Sequence, residues 1–318
     1  MPSLENSESS GVLCFNCDSP RHHQLFESWN AYPILRCDDC SLVFTDDTHA
    51  PPPHTLYPAF SQSDTGVHRK IRAALSVFLR QREELVKSIK PAGRLLDYGC
   101  GSGAFARWMS EHGFDVVGLE PFSLGEPSVS DNLLLLRKPL EAAKNELGQF
   151  DVITMWHVLE HLKHPADALR ELLPHLKKDG RLIVSVPNFG SMQSKSFKGA
   201  WFHLDPPRHL IHFEQETLRD CLSDAGFEVV DEKPFLPEYG SSGWVQSTLN
   251  SILPHKNFLF EFIKDRGALR DMASSSKAAH IAASIALGGP VLAASLPLEA
   301  VAAARSEGAA LTLAARPR

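Results

Sequence analysis

The sequence predicts an α/β fold: a mainly parallel sheet of seven strands with helices on both faces. Three observations predict it. From about residue 67 to 232, short apolar runs alternate with stretches of helical periodicity. A glycine-rich turn joins the first of these runs to the helix after it. Hydrophobic residues make up 43% of the 318 positions against 22% charged, enough for a sizeable core.

The elements follow in order. Residues 67–89 bring Ile71, Leu75, Phe78, Leu79, Leu85 and Ile89 near one helical face. Residues 94–98 form the first strand and 104–112 a helix; 115–119 and 132–136 are the next two strands, and 139–147 a helix. The fourth strand is 150–156, followed by a helix over 165–177 and a turn at Asp179-Gly180 into the fifth strand, 181–186. A helix at 215–225 leads to the sixth strand, 227–232, and 308–314 is the last, pairing back into the sheet.

The chain divides by composition. Residues 1–45 are polar and cysteine-rich, and 46–66 carry Pro51, Pro52, Pro53 and Pro58 and read as a linker. The main domain spans 67–234, a hydrophobic helical insertion or cap 235–307, and the last strand 308–318. Net charge is −6, so bulk electrostatic binding of nucleic acid is not expected. Residues 1–10 lack a basic start and an apolar core, so no secretory signal is read there and a cytoplasmic location is expected.

The strongest chemical signal is the run Asp97-Tyr98-Gly99-Cys100-Gly101-Ser102-Gly103, between a strand and a helix. Glycines let a ligand approach the backbone, and the helix start offers free amides. Glu120 closes the next strand, where a carboxylate suits ribose hydroxyls. A nicotinamide dinucleotide fits the loose glycine pattern, but Asp97 would repel its pyrophosphate. S-adenosylmethionine has no phosphate and carries a sulfonium and an ammonium, which a carboxylate attracts.

With those residues in place, the chain resembles the class I S-adenosylmethionine-dependent methyltransferases, a Rossmann-like family. Residues 95–103 resemble its first motif, 116–121 its acidic motif, 150–161 its fourth-strand motif and 180–188 its fifth. The branch is similar to the one holding ubiquinone-pathway methyltransferases and bacterial sugar or natural-product enzymes. The resemblance implies that Asp97, Gly99, Gly101 and Gly103 hold the methionine portion. It also implies that Glu120 and Pro121 flank the ribose, that Phe122 lies against adenine, and that Trp156 and His157 line the methyl-transfer face.

Cys14-x2-Cys17 and Cys37-x2-Cys40 have the spacing of a four-cysteine zinc ribbon. Four thiolates fill a tetrahedron, so the zinc is expected to be structural. Some sugar C-methyltransferases carry a similar module. They have a Glu-His-Gly where this chain has Glu238-Tyr239-Gly240, a departure that speaks against sugar C-methylation.

His157-x-x-Glu160-His161 copies a zinc-protease pattern, but it straddles a strand end and a loop, whereas the protease motif needs one helix. By resemblance, quinone-pathway O-methyltransferases use acidic and histidine groups near here for a divalent ion. Residues 201–213 hold His203, Asp205, Arg208, His209 and His212 on a loop at the carboxyl ends of the strands. His209 is the first candidate for a general base and His203 the second.

Residues 278–298 contain no Asp, Glu, Lys or Arg, which leaves three readings: membrane contact, a folded cap, or an oligomer interface. Gly288, Gly289, Pro290 and Pro297 are expected to interrupt any single helix there. The expected function is methyl transfer to a small-molecule acceptor. The alternatives are an inactive scaffold with a zinc-ribbon binding module, or an NAD-dependent oxidoreductase.

Overall fold

The computed structural model describes residues 11–56, 66–121, 125–233, 237–264 and 272–318. The chain begins with three antiparallel strands, β1 (His22–Glu27), β2 (Pro33–Cys37) and β3 (Val43–Thr45). Helices α1 (Pro53–Leu56) and α2 (Gly66–Ile89) lead to β4 (Gly93–Tyr98), α3 (Ala104–Glu111), β5 (Phe114–Leu119), β6 (Gly125–Ser130) and β7 (Leu133–Arg137). Next come α4 (Leu140–Leu147), β8 (Phe150–Trp156), α5 (Pro165–Leu172), β9 (Leu176–Pro187), α6 (Met192–Phe197), β10 (Ile211–His212), α7 (Gln215–Asp224) and β11 (Phe227–Lys233). The chain closes with α8 (Pro237–Ile252), α9 (Phe258–Lys264), α10 (Ser274–Ala304) and β12 (Ala310–Pro317).

The large sheet has the order β11-β12-β9-β8-β4-β5-β7-β6. Strands β9, β8, β4, β5 and β7 are parallel neighbours, while β12 is antiparallel to both β9 and β11. This is a Rossmann-like α/β fold with two reversed strands, β12 and the edge strand β6. The chain winds outward from β4 through β5 and β7, then returns to β8 beside β4. The switch between β4 and β8 opens a crevice at their carboxyl ends, where ligands bind in such sheets.

Strand alternation builds the two cores. Leu95 belongs to one buried cluster with Val86, Phe105, Met109 and Val116, while its neighbour Leu96 belongs to the other, with Val117, Leu140, Leu159 and Leu182. Each face is thus sealed by helices, and only the strand ends remain for chemistry.

Seven strands of the sheet are those the sequence predicts. The eighth, β6, adds an antiparallel hairpin edge beyond β7. Its Gly-Glu-Pro-Ser start has no strand pattern to detect. The helix expected over 165–177 stops at Leu172, because Pro174 cannot continue it. The expected turn at Asp179-Gly180 is instead an irregularity inside β9: Phe150 pairs with Leu176 but Val152 with Arg181. The expected interruption near Gly288–Pro290 is absent, and α10 runs unbroken for 31 residues with Pro290 and Pro297 inside it, both exposed.

The cysteine-rich segment does not stand apart from the main domain. β3 pairs with β10, placing Ile211 opposite Phe44 and His212 opposite Val43. Cys14, Cys37, Leu42 and Phe44 pack into the same core as Ile211, Phe213 and Leu218.

Candidate active site

The loop after β4 is a chain of left-handed glycines: Gly99, Gly101 and Gly103 have φ of 75°, 55° and 77°. At Gly99 a Cβ would stand 2.3 Å from Val158 Cγ2, so both its φ and its surroundings require glycine. Gly103 caps the start of α3. The loop is tied to the neighbouring strand, since Gly99 N–H donates to Leu119 O at 2.7 Å and Gly101 N–H to Glu120 Oε2 at 2.7 Å.

Asp97 lies beneath this loop and is 2% exposed. Its Oδ1 accepts a hydrogen bond from Thr154 Oγ1 at 3.0 Å. Burial pushes its carboxyl up to about 7; the Thr154 bond and the Arg82 charge oppose the rise, and Glu120 adds to it. The pair Asp97 and Glu120 therefore forms a buried acidic floor that a cation would relieve. Pro121 is half-buried beside Glu120, and the expected adenine contact, Phe122, lies outside the described residues.

On the other side of the switch point, β8 ends at Trp156, whose ring meets Phe105 at 5.6 Å and the Arg82 guanidinium at 5.0 Å. His157 turns the chain with φ 55°, and its N–H donates to Ser185 O at 2.8 Å. That turn aims His157 Nδ1 at Glu160 Oε1, 3.1 Å away. Leu159–His161 is a single 3-10 turn, so the zinc-protease pattern has no helix to sit on.

Glu160 is 1% exposed; its Oε1 faces His157 Nδ1, and its Oε2 makes no hydrogen bond among the described residues. Burial works to raise its pKa, but His157, with His161 and His209, holds it at about 2. His161 and His209 share one construction. His161 Nδ1 donates to Arg208 O at 2.8 Å, and His209 Nδ1 donates to His203 O at 2.7 Å. A carbonyl only accepts, so each Nδ1 carries a proton and each Nε2 is the ring atom left to meet a ligand. One ligand atom from each of Glu160, His161 and His209 lies within 4.8 Å of the others. Imidazoles anchored by backbone carbonyls beside a buried carboxylate are a donor set for a divalent ion. Burial, aided by His161, also pushes His209 down to about 4, which makes it a neutral ligand by nature and a weak base.

The second candidate base, His203, is buried with its ring 6.4 Å from that of His157. It adjoins a wall that the sequence reading missed. A Cβ at Gly243 would lie 2.2 Å from Gln193 Oε1 and 3.0 Å from His203 Nε2, so the two side chains meet over that glycine. Gln193 Nε2 donates to Gly240 O and to Glu299 Oε1, both at 2.7 Å, and Trp244 Nε1 donates to Glu299 Oε1 at 2.6 Å. The available sequence signal was Glu299 itself, the first charge after the uncharged stretch 278–298.

The four cysteines converge away from the crevice. Cys14 and Cys40 sulfurs are 3.5 Å apart, Cys17 and Cys37 sulfurs 3.6 Å, and no two are disulfide-bonded. Thiolates at ~2.3 Å from a tetrahedral zinc would lie roughly 3.8 Å from one another. The spacing fits that ion with small adjustment. Strands from this cluster carry the site loop: Thr45 Oγ1 donates to His209 O at 2.8 Å and lies 2.9 Å from His212 Nε2, and Arg36 pairs with Glu214 at 2.8 Å.

The chain is similar to known proteins over its α/β domain. A family described as "Methyltransferase domain" matches residues 67–232. A ubiquinone biosynthesis O-methyltransferase of Acinetobacter baumannii (strain ACICU) is 30% identical over 104 residues, covering 30% of this chain and 44% of that protein. One from Psychrobacter cryohalolentis is 30% identical over 105 residues, covering 30% of this chain and 41% of its own. The match thus spans less than half the length of either curated relative. Among solved structures, an S-adenosylmethionine dependent methyltransferase from Mesorhizobium loti is similar at 17% identity and a TM-score of 0.39, covering 70% of this chain and 90% of that one.

Proposed function

The chain belongs to the methyltransferase-domain family, and from that premise we propose that it transfers a methyl group from S-adenosylmethionine to a hydroxyl on a small-molecule acceptor. The observation that carries the reading is the buried Asp97 beneath a left-handed glycine loop, with Glu120 at the end of the next strand. Bound there, the cofactor supplies an electrophilic methyl on a sulfonium. Asp97 meets its positive charge, Glu120 accepts from its ribose, and the loop amides line its edge.

The protein's remaining work is alignment and exclusion of water. Trp156, His157 and His203 wall the transfer side. Glu160, His161 and His209 would hold a divalent ion able to acidify an acceptor hydroxyl. Support for a hydroxyl acceptor comes from that donor set and from the O-methyltransferase names of the partial relatives. Cys14, Cys17, Cys37 and Cys40 would hold a structural zinc.

Titration calorimetry of the full chain tests the cofactor. S-adenosylmethionine and S-adenosylhomocysteine are expected to bind in the micromolar range, with Asp97→Ala abolishing the heat and NAD giving none. NAD binding in place of the other two would remove the methyl-transfer reading.

A further inference from the structure

Helix α10 is built inside out. Its buried positions are Ser284, Gly288, Ser295, Glu299 and Ala302, which fall on one stripe at helical spacing. That stripe packs on α8, with Gly288 against Val245 and Glu299 receiving the Trp244 indole. The polar side chains therefore face protein. The large apolar ones face outward: Ile285 is 71% exposed, Leu296 65%, Leu292 49%, Val301 44% and Leu298 38%. A helix resting on a water-soluble body has the opposite arrangement.

The helix does not project from the body. Its partner α8 is fastened along its length, by Gln193 to Gly240 O, by Asn250 Nδ2 to Ala200 O at 3.4 Å and by Ser247 Oγ to Phe202 N–H at 2.9 Å. Its C-terminal end leads within a few residues into β12, inside the large sheet. It therefore lies flat along the surface and cannot cross a bilayer alone.

We propose that α10 docks the protein flat on a lipid bilayer, with its outward apolar arc immersed at the boundary of headgroups and acyl chains. Two features select lipid over a second copy of the chain. First, the arc is wide: Ile285, Leu292 and Leu296 share one side, yet Val301 points roughly 160° from Ile285. A helix–helix seam covers one stripe, whereas hydrocarbon covers the whole arc. Second, charge is confined to the ends. No Asp, Glu, Lys or Arg occurs between Ala278 and Leu298, while Lys277 precedes the stretch and Arg305 follows the helix, so nothing charged interrupts the outward arc over those residues. This inference stands on α10 alone and does not depend on methyl transfer.

Co-sedimentation of the full chain with phosphatidylcholine vesicles tests it. The protein is expected to pellet with neutral vesicles and to stay bound in high salt, because the contact is apolar. Replacing Ile285, Leu292 and Leu296 by asparagine together should weaken binding at least tenfold. Replacing Leu298 and Val301 by asparagine should also weaken it several-fold, since lipid contacts both sides. These positions are exposed, so both variants should melt like the parent chain. Three results would overturn the proposal: a parent chain that stays in the supernatant, binding to anionic vesicles only with release by salt, or a stable dimer that the triple variant dissociates and the double variant does not.

Discussion

Asp97 is where a single residue has the clearest consequence. Its carboxyl is pushed up to about 7 in the folded chain from an ordinary value of 3.8, and burial is the main cause. A raised carboxyl pKa contributes stability below about pH 4 that is lost as pH climbs to about 7. Above that, the ligand-free protein holds a buried negative charge. Asp97→Asn should therefore raise the melting temperature of the ligand-free chain near pH 8, by on the order of a few kcal/mol of stability. The same change should cost at least about 100-fold in S-adenosylmethionine affinity, the loss of a buried charge pair. For the parent chain, affinity should be flat at high pH and fall toward about tenfold per unit below 7, because the cation must compete with a proton. Calorimetry across pH measures both; an affinity unchanged from pH 5 to 8 would sink the assigned role. Glu160 and His209 give a second test at this scale. Cobalt titration should show one thiolate site with intense sulfur-to-metal absorption and one nitrogen–oxygen site without it. His209→Ala should remove only the latter. Survival of both sites in that variant would refute the donor set.

Among elements, the N-terminal strands act as a clamp on the loop that carries the histidines. β3 hydrogen-bonds to β10, Thr45 holds the His209 carbonyl, Arg36 pairs with Glu214, and Asn30 Nδ2 donates to Pro206 O at 2.7 Å. The ion that closes the four cysteines thus acts at a distance on Glu160, His161 and His209. Chelating it, or replacing Cys37 by serine, should loosen residues 198–214 to proteolysis and abolish the nitrogen–oxygen cobalt site. Cofactor binding at the glycine loop should persist, since β4 and β5 contribute nothing to the clamp. Simultaneous loss of both functions would argue instead for global unfolding. This clamp was not legible in the sequence. The cysteine spacing announced the ion, but a two-residue strand such as β10 carries no periodicity, and the pairing of Ile211 with Phe44, far apart in the chain, leaves no local trace. The glycine loop, in contrast, was legible because left-handed φ restricts residue type so strongly. His209 was legible as chemistry but not as a role. Only burial and the His203 carbonyl reveal an anchored neutral imidazole.

At the scale of the whole molecule, the sheet was readable because buried strands are continuous apolar runs, and their order follows from β-α alternation. The outward side of α10 was not, because composition tells how apolar a helix is and not which side meets protein. The strand that closes the fold, β12, sits between β9 and β11 and pairs along both edges, from Ala310 opposite Pro187 to Phe227 opposite Pro317. Leu311, Leu313 and Ala315 fill the core, Thr312 Oγ1 meets Ser185 Oγ at 3.0 Å, and Asn188 Nδ2 donates to Gly308 O at 2.8 Å. Removing residues 308–318 would expose two strand edges and delete two buried leucines worth roughly 1.5–3 kcal/mol each. With the lost ladder bonds at ~1 kcal/mol apiece, the deficit reaches the whole stability of an ordinary domain, about 5–15 kcal/mol. The truncated chain should therefore be insoluble or molten, with no cooperative melt and no cofactor binding. The asparagine substitutions on the outward face of α10 should leave melting and cofactor affinity within error of the parent chain. A truncated chain that melts cooperatively and still binds S-adenosylmethionine would show that β11 can pair directly with β9, and that β12 is an addition to the fold rather than its closure.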